Sequence, residues 1–299
     1  LGFDGNRANN ATADLHCLAL TSYFSKIENC AFFNSTGNGL RISAETKNGT
    51  GIDASNVNTR LKGNFIYDND GHGLYGKDNG QKLSDWVVET NFFYRNGQGV
   101  GSTSNVYIER FAGSKFIGNQ LYEAGGTDTT LLGCGASIIA NNHFDVEGAQ
   151  ESTTLACLRI GTGGFDATNI IGNVFRASNM TAATTRALIY VNSSAGQESI
   201  TVSGNTFDGE VLAGGSGVSS LSGVLAVGTL PVVDGGNRFN FVATRWSGPN
   251  LSLVSTVPVS ETPASATAAG VTGQMAADAD YIYRCTASNT WKRMAILTW

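Results

Sequence analysis

Large apolar residues return along the chain at long, nearly regular intervals. Phe32, Ile66, Phe93, Phe116, Phe144, Phe175, Phe207 and Phe239 are separated by 34, 27, 23, 28, 31, 32 and 32 residues. Two positions ahead of each stands Asn or a substitute: Cys30, Asn64, Asn91, Ser114, Asn142, Asn173, Asn205 and Asn237. One position earlier come Asn29, Gly63, Thr90, Gly113, Asn141, Gly172, Gly204 and Gly236. Five positions ahead of each anchor run Ile27, Leu61, Val88, Phe111, Ile139, Ile170, Val202 and Asp234, all but the last large and apolar. Two apolar columns in register over so many repeats predict a chain that coils over itself. Successive coils would then lie ~4.8 Å apart, the strand spacing of a sheet. Gly and Asn suit the corner because they tolerate left-handed backbone, and Asn side chains can hydrogen-bond along such a stack.

The remaining segments fit the same picture. "LACLRI" (155–160), "ALIYV" (187–191) and "GVLAV" (223–227) read as further strands of successive coils. Helical periodicity is nearly absent. The expected fold is all-β: a right-handed parallel β-helix, or solenoid, followed by a small C-terminal β module. The handedness is taken from the crossover rule. The repeat ends near Phe241, which gives a solenoid over 1–245, a small-residue linker over 246–270 containing "SETPASATAAG", and a β module over 271–299. In the module, "YIYRCT" and "WKRMAI" read as two strands joined by a turn.

Composition agrees with a turn-rich β protein. Gly numbers 38 of 299 residues, and charged residues make up only 14%. A formal net charge of −5 argues against nucleic acid as partner. No apolar run is long enough for a membrane helix. The five cysteines, without a CxxC, read as buried free thiols of a protein made in a reducing cytoplasm. Three histidines with no close pair predict no metal site, and nothing in the chain calls for a cofactor. The first residue, Leu1, falls in mid-pattern, so the chain reads as the C-terminal part of a longer protein.

The tail carries a specific pattern: Gly273, Gln274, Asp278, Tyr281, Tyr283, Cys285, Asn289, Thr290, Trp291, Lys292 and Arg293, close to a terminal aromatic residue. About the last thirty residues thereby resemble the C-terminal segment of many bacteriophage tailspikes and tail fibres. The preceding region resembles, in coil pattern, the pectate-lyase-like β-helix class. The resemblance implies a homotrimer on the virion tail, made in the host cytoplasm. It also implies binding of a bacterial surface polysaccharide (capsule or O-antigen), often with cleavage by hydrolysis or β-elimination.

Two groups of residues are candidates for that chemistry. Outward positions beside the second apolar column hold Glu28, Lys62, Glu89 and Ala112 on one side, and Lys26, Arg60, Val87 and Arg110 on the other. This face is either a salt-bridge ladder or trimer contact, or a saccharide groove. In the groove reading, carboxylates do acid/base work while Arg60, Lys62 and Arg110 bind acidic sugars. Glycoside hydrolysis calls for two carboxylates. Glu28 and Glu89, two coils or roughly 9.6 Å apart, are one such pair. Glu109, in "VYIERF", is a third candidate, although strict alternation would turn it inward.

The second group follows the anchors. "NSTGNGLRI", "DNDGHGLYG" and "RNGQGVG" align at Gly-x-Gly, which stacks Leu40, Leu74 and Val100 inward and lines up Asn38, His72 and Gln98. Here Asp70, His72, Tyr75, Lys77 and Arg41 offer a base and a group to neutralise a uronate, as β-elimination needs. The alternative is a solvated Gly/Asn/Asp turn. Trp86, Tyr107, Tyr122 and Trp246 are candidates for stacking on sugars, or else core or interface residues. Hydrolytic depolymerisation is the first functional expectation and β-elimination the second. A non-catalytic glycan-binding spike and a purely structural shaft complete the set.

Overall fold

The structure is a computed structural model. It describes residues 1–10, 15–21, 24–43, 56–78, 83–99, 103–147, 154–161, 167–178, 185–192, 200–209, 221–227, 231–240, 242, 244–247, 252–253, 262–270 and 274–295. Three nine-stranded parallel sheets form a solenoid, and each coil contributes one strand to each sheet in turn. In the coil that opens at Lys26, the strands are Lys26–Glu28 in sheet 1, Ala31–Phe33 in sheet 2 and Leu40–Ser43 in sheet 3. The next coil supplies Arg60–Lys62, Phe65–Tyr67 and Leu74–Lys77. A separate three-stranded antiparallel sheet, Met275–Ala277, Tyr281–Ala287 and Thr290–Ala295, forms the C-terminal module. Gly273 of the tail pattern lies outside the described residues.

The anchors are the inward column of sheet 2. Phe32, Ile66, Phe93, Phe144, Phe175 and Phe207 are fully buried. The rings of Phe144, Phe175, Phe207 and Phe239 lie nearly parallel at successive separations of 4.9, 5.2 and 4.7 Å. One expected anchor is corrected. The residue between Phe93 and Phe144 is Leu121, not Phe116. Phe116 belongs to sheet 1, where it stacks between Val88 and Ile139. Leu121 carries the same lead-in, Gly118-Asn119-Gln120, but with an aliphatic anchor. The corner residues then share one conformation: Asn29, Gly63, Thr90, Gly118, Asn141, Gly172, Gly204 and Gly236 all have φ between 54° and 69°. Glycine costs nothing there and Asn little.

Behind that corner runs a buried asparagine ladder. The Nδ2 of Asn64, Asn91, Asn119, Asn142, Asn173 and Asn205 each donates to Oδ1 of the next rung, at 2.9–3.0 Å, ending on Asn237. Each also donates to a sheet 1 carbonyl of the preceding coil, as Asn142 does to Phe116 O at 2.8 Å. A buried amide with all its hydrogen-bonding capacity used stabilises the stack rather than penalising it.

A second ladder runs between sheets 2 and 3: Ser35 to Asn69, Asn69 to Asn96, Asn96 to Asn105, and Asn105 to Asp128. Its rungs come from two places. Asn69 and Asn96 follow sheet 2 and project over Gly39 and Gly73, whose Cβ atoms, were they present, would sit 2.6 and 2.7 Å from those amides. Asn105 and Asp128 directly precede sheet 3 strands. The Gly-x-Gly motif thus makes room for the ladder.

Candidate functional site

Each sheet presents a different outward face over the early coils. On sheet 1, the corrected register replaces Arg110 and Ala112 by Lys115 and Ile117. Arg110 therefore leaves the charged column, and its Nε is buried. The rest of that column is an ion-pair ladder. Lys26 lies 3.0 Å from Glu28, Arg60 bridges Glu28 at 3.9 Å and binds Glu89 closely, and Lys62 reaches Glu89 at 3.3 Å. Arg60, with Lys62, holds the Glu89 carboxyl below its ordinary pKa. Glu28 and Glu89 are thus separated by cations rather than facing each other across a gap.

Sheet 2 carries an aromatic face of which the sequence reading singled out only Tyr122. The residue after each anchor gives Phe33, Tyr67, Tyr94 and Tyr122 in one outward column, with Phe65 and Phe92 in the next. The corrected anchor list reads this column directly. Phe33 and Tyr67 stack on one another at 5.0 Å with 2° between their planes, so they turn edges rather than faces to solvent.

Sheet 3 gathers most of the second group. Along the strand Val106–Ile108, Val106 and Ile108 point inward and Tyr107 outward, and Glu109 continues the outward alternation. The expected inward parity of Glu109 is corrected with the register. Its Oε1 lies 3.0 Å from both Tyr75 Oη and Lys77 Nζ, and its Oε2 accepts the Asp78 amide at 2.9 Å. Tyr75 and Tyr107 are neighbours in register, and the His72 ring packs on both, at 5.3 and 5.0 Å. The Arg41 guanidinium lies 5.9 Å from the Tyr75 ring centre. Arg41, His72, Tyr75, Lys77, Tyr107 and Glu109 therefore share one half-buried patch.

Burial decides the protonation of this patch. It pushes His72 down to about 4, leaving the imidazole neutral near pH 7. Nδ1 of His72 accepts the Ser104 amide at 2.9 Å, which puts the imidazole's own proton on Nε2. Burial, reinforced by Glu109, raises the Tyr75 phenol well above its usual range. Tyr107 is raised for the same reasons, opposed by Arg159 and Lys77.

Other expected positions fall elsewhere. The column Asn38–His72 continues to Ser104, not Gln98: the His72 amide donates to Asn38 Oδ1, and Ser104 donates to His72. Gln98 instead donates to the Glu123 carbonyl. Val106 stacks on Leu74, while Val100 lies outside the described residues. Asp70 is paired with Arg7 at 2.6 Å. Trp86 is fully buried in the core and offers no face to a sugar. Among the described residues, no three His, Cys, Asp or Glu side chains are grouped to hold a metal. No helix among them is long and apolar enough to cross a membrane.

No known family pattern matches the sequence. A stretch of 81 residues, 26% of this chain, is 43% identical to a capsule K30/K69-specific depolymerase of Klebsiella phage K64-1. Over that stretch the chain is similar to a phage depolymerase. The matched stretch spans 10% of that protein's length. In fold, the chain is similar to an alginate lyase from Paenibacillus, with TM-score 0.56 and 16% identity over 84% of this chain and 79% of that one. It is also similar to the A-module of a mannuronan C-5 epimerase from Azotobacter vinelandii, with TM-score 0.53 and 14% identity over 79% and 59%. These two likenesses concern the parallel β-helix alone. The expected resemblance to phage tail proteins thus has a phage relative beside it.

Proposed function

We propose that this chain is part of a phage tailspike that binds and depolymerises a bacterial surface polysaccharide, with its reactive centre in the sheet 3 patch. The hydrogen bond between Tyr75 and Glu109, shared with Lys77, carries this reading. β-Elimination on a uronate uses all of the patch. Arg41 neutralises the sugar carboxylate, so that the adjacent C–H becomes acidic. Tyr75 Oη takes that proton while its own proton passes to Glu109. The C–C double bond forms, the glycosidic C–O bond breaks, and the departing oxygen takes a proton from the Lys77 ammonium. Glu109 then returns its proton to Lys77, 3.0 Å away, and the centre is reset. Neutral His72 props both tyrosines and offers its Nε2–H to the substrate.

The same Tyr75–Glu109 pair supports a second reading. A tyrosine activated by a carboxylate can act as nucleophile in glycoside hydrolysis. Incubation with capsular and O-antigen polysaccharides separates the two. Elimination gives new reducing ends together with ultraviolet absorbance from the unsaturated uronate, and hydrolysis gives reducing ends alone. Binding without new ends would leave a glycan-gripping spike and remove the catalytic reading. As a tailspike the protein would be a homotrimer on the virion tail, which light scattering on the purified protein tests; a monomer would remove that part.

A further inference from the structure

The outward column of sheet 3 does not stop at the reactive patch. Strand register carries it from Arg41 through Tyr75, Tyr107 and Thr130 to Arg159 and Tyr190. The same pair occurs twice along it. Arg41 lies over Tyr75 at 5.9 Å, and Arg159 lies over Tyr190 at 5.5 Å. Between the pairs stand Tyr107 and the short, buried Thr130. Arg159 has no carboxylate partner among the described residues, although the sheet 1 cations of the early coils are paired with acids. Its charge nevertheless reaches Tyr107, so it belongs electrostatically to the reactive face.

An unpaired guanidinium held against an aromatic ring, half-buried, is a preorganised fork for a carboxylate. The tyrosine beside it supplies an apolar face for a sugar ring. We propose that Arg159 and Tyr190 form a distal subsite for an acidic, carboxylate-bearing sugar. The polysaccharide would lie along the solenoid axis, with a second acidic sugar at Arg41 and Tyr75. The two pairs are four strand spacings apart, about 19 Å, the span of a short oligosaccharide. This rests on the sheet 3 patch being the substrate face. It adds that the polymer is anionic and is gripped at two charges in fixed separation.

Binding of alginate oligomers of increasing length tests this by calorimetry. A polyuronate carries a carboxylate on every ring, so it meets both pairs whatever the spacing in the natural polymer. Affinity should step up on the order of tenfold or more once the oligomer spans both pairs, because the second contact becomes intramolecular. It should weaken with added salt. Arg159→Ala should abolish the step, and Arg159→Lys should keep part of it. Neutral cello-oligomers should show none. The inference is overturned if affinity ignores length or charge, if Arg159→Ala keeps the step, or if no alginate oligomer binds. Absence of the step in the wild type, with polysaccharide cleavage intact, removes this subsite alone. A retained step in a protein that cleaves nothing removes the catalytic reading alone.

Discussion

Asp128 shows how much one atom changes in a buried column. It stands where Asn is the rung elsewhere, accepts from Asn105 at 2.5 Å through Oδ1, and leaves Oδ2 buried without a partner. Burial raises its pKa well above the ordinary value. A carboxyl raised in the folded state contributes most stability below its unfolded pKa of ~3.9, and that contribution falls as pH climbs toward the folded value. Asp128→Asn removes this dependence. The variant should be close to the wild type at pH 4 and more stable at pH 7 by about 1–3 kcal/mol. Urea titrations at the two pH values check this, and a less stable variant at pH 7 would mean the carboxylate is satisfied. His72 moves the other way. With its pKa held near 4, its imidazole resonances should stay those of the Nε2–H neutral form from pH 8 down to 5. A titration near the ordinary value of ~6.5 would mean that the ring is solvated and can carry charge in the site.

At the scale of strands and ladders, Asn142 is the sharpest test of what holds the coils. Its Oδ1 accepts both the backbone and side-chain N–H of Asn119, and its Nδ2 donates to Phe116 O and Asn173 Oδ1. Asn142→Ala leaves buried partners on both sides unpaired, each at roughly 1–3 kcal/mol, partly offset by relaxation. A loss of about 3–5 kcal/mol is expected, read as a drop in denaturation midpoint, whereas an outward change such as Thr206→Ser should cost little. This ladder was legible in the sequence because its rungs keep step with the anchors. Phe116 misled the register because it is a larger ring than Leu121, five residues before the true anchor. The second ladder was illegible for a physical reason. Its neighbours lie 34, 27, 9 and 23 residues apart, because the rung passes from residues following sheet 2 to residues preceding sheet 3. No fixed period survives that exchange. The connection lengths that scramble the ladder also shifted Gln98 out of the His72 column.

On the whole molecule, the three faces divide the candidate acids. Glu89 faces out from sheet 1 and Glu109 from sheet 3, so no single groove on one face uses both. Glu89 was a catalytic candidate because carboxylate spacing along a column is visible in the repeat, and Glu109 was one only as an out-of-column acid on the next coil, since the assignment of a strand to a sheet is not visible there. Glu89 is engaged by Arg60 and Lys62 at a largely open surface, where such pairs contribute ~0–1 kcal/mol. Its depressed pKa means this small contribution is present above the unfolded value and lost as pH falls. Glu89→Gln should therefore lower stability slightly and leave polysaccharide cleavage near wild type. Glu109→Gln keeps the shape of the side chain but removes the acceptor that takes the proton from Tyr75. General-base assistance of this kind contributes about 10²–10⁴-fold, so kcat should fall by that order with the fold intact by circular dichroism. Tyr75→Phe should fall at least as far, and the double variant no further than the worse single one, since the two act as one relay. The opposite pattern, with Glu89→Gln inactive and Glu109→Gln active, would move the reactive centre to the ion-pair face and make the sheet 3 patch a binding surface only.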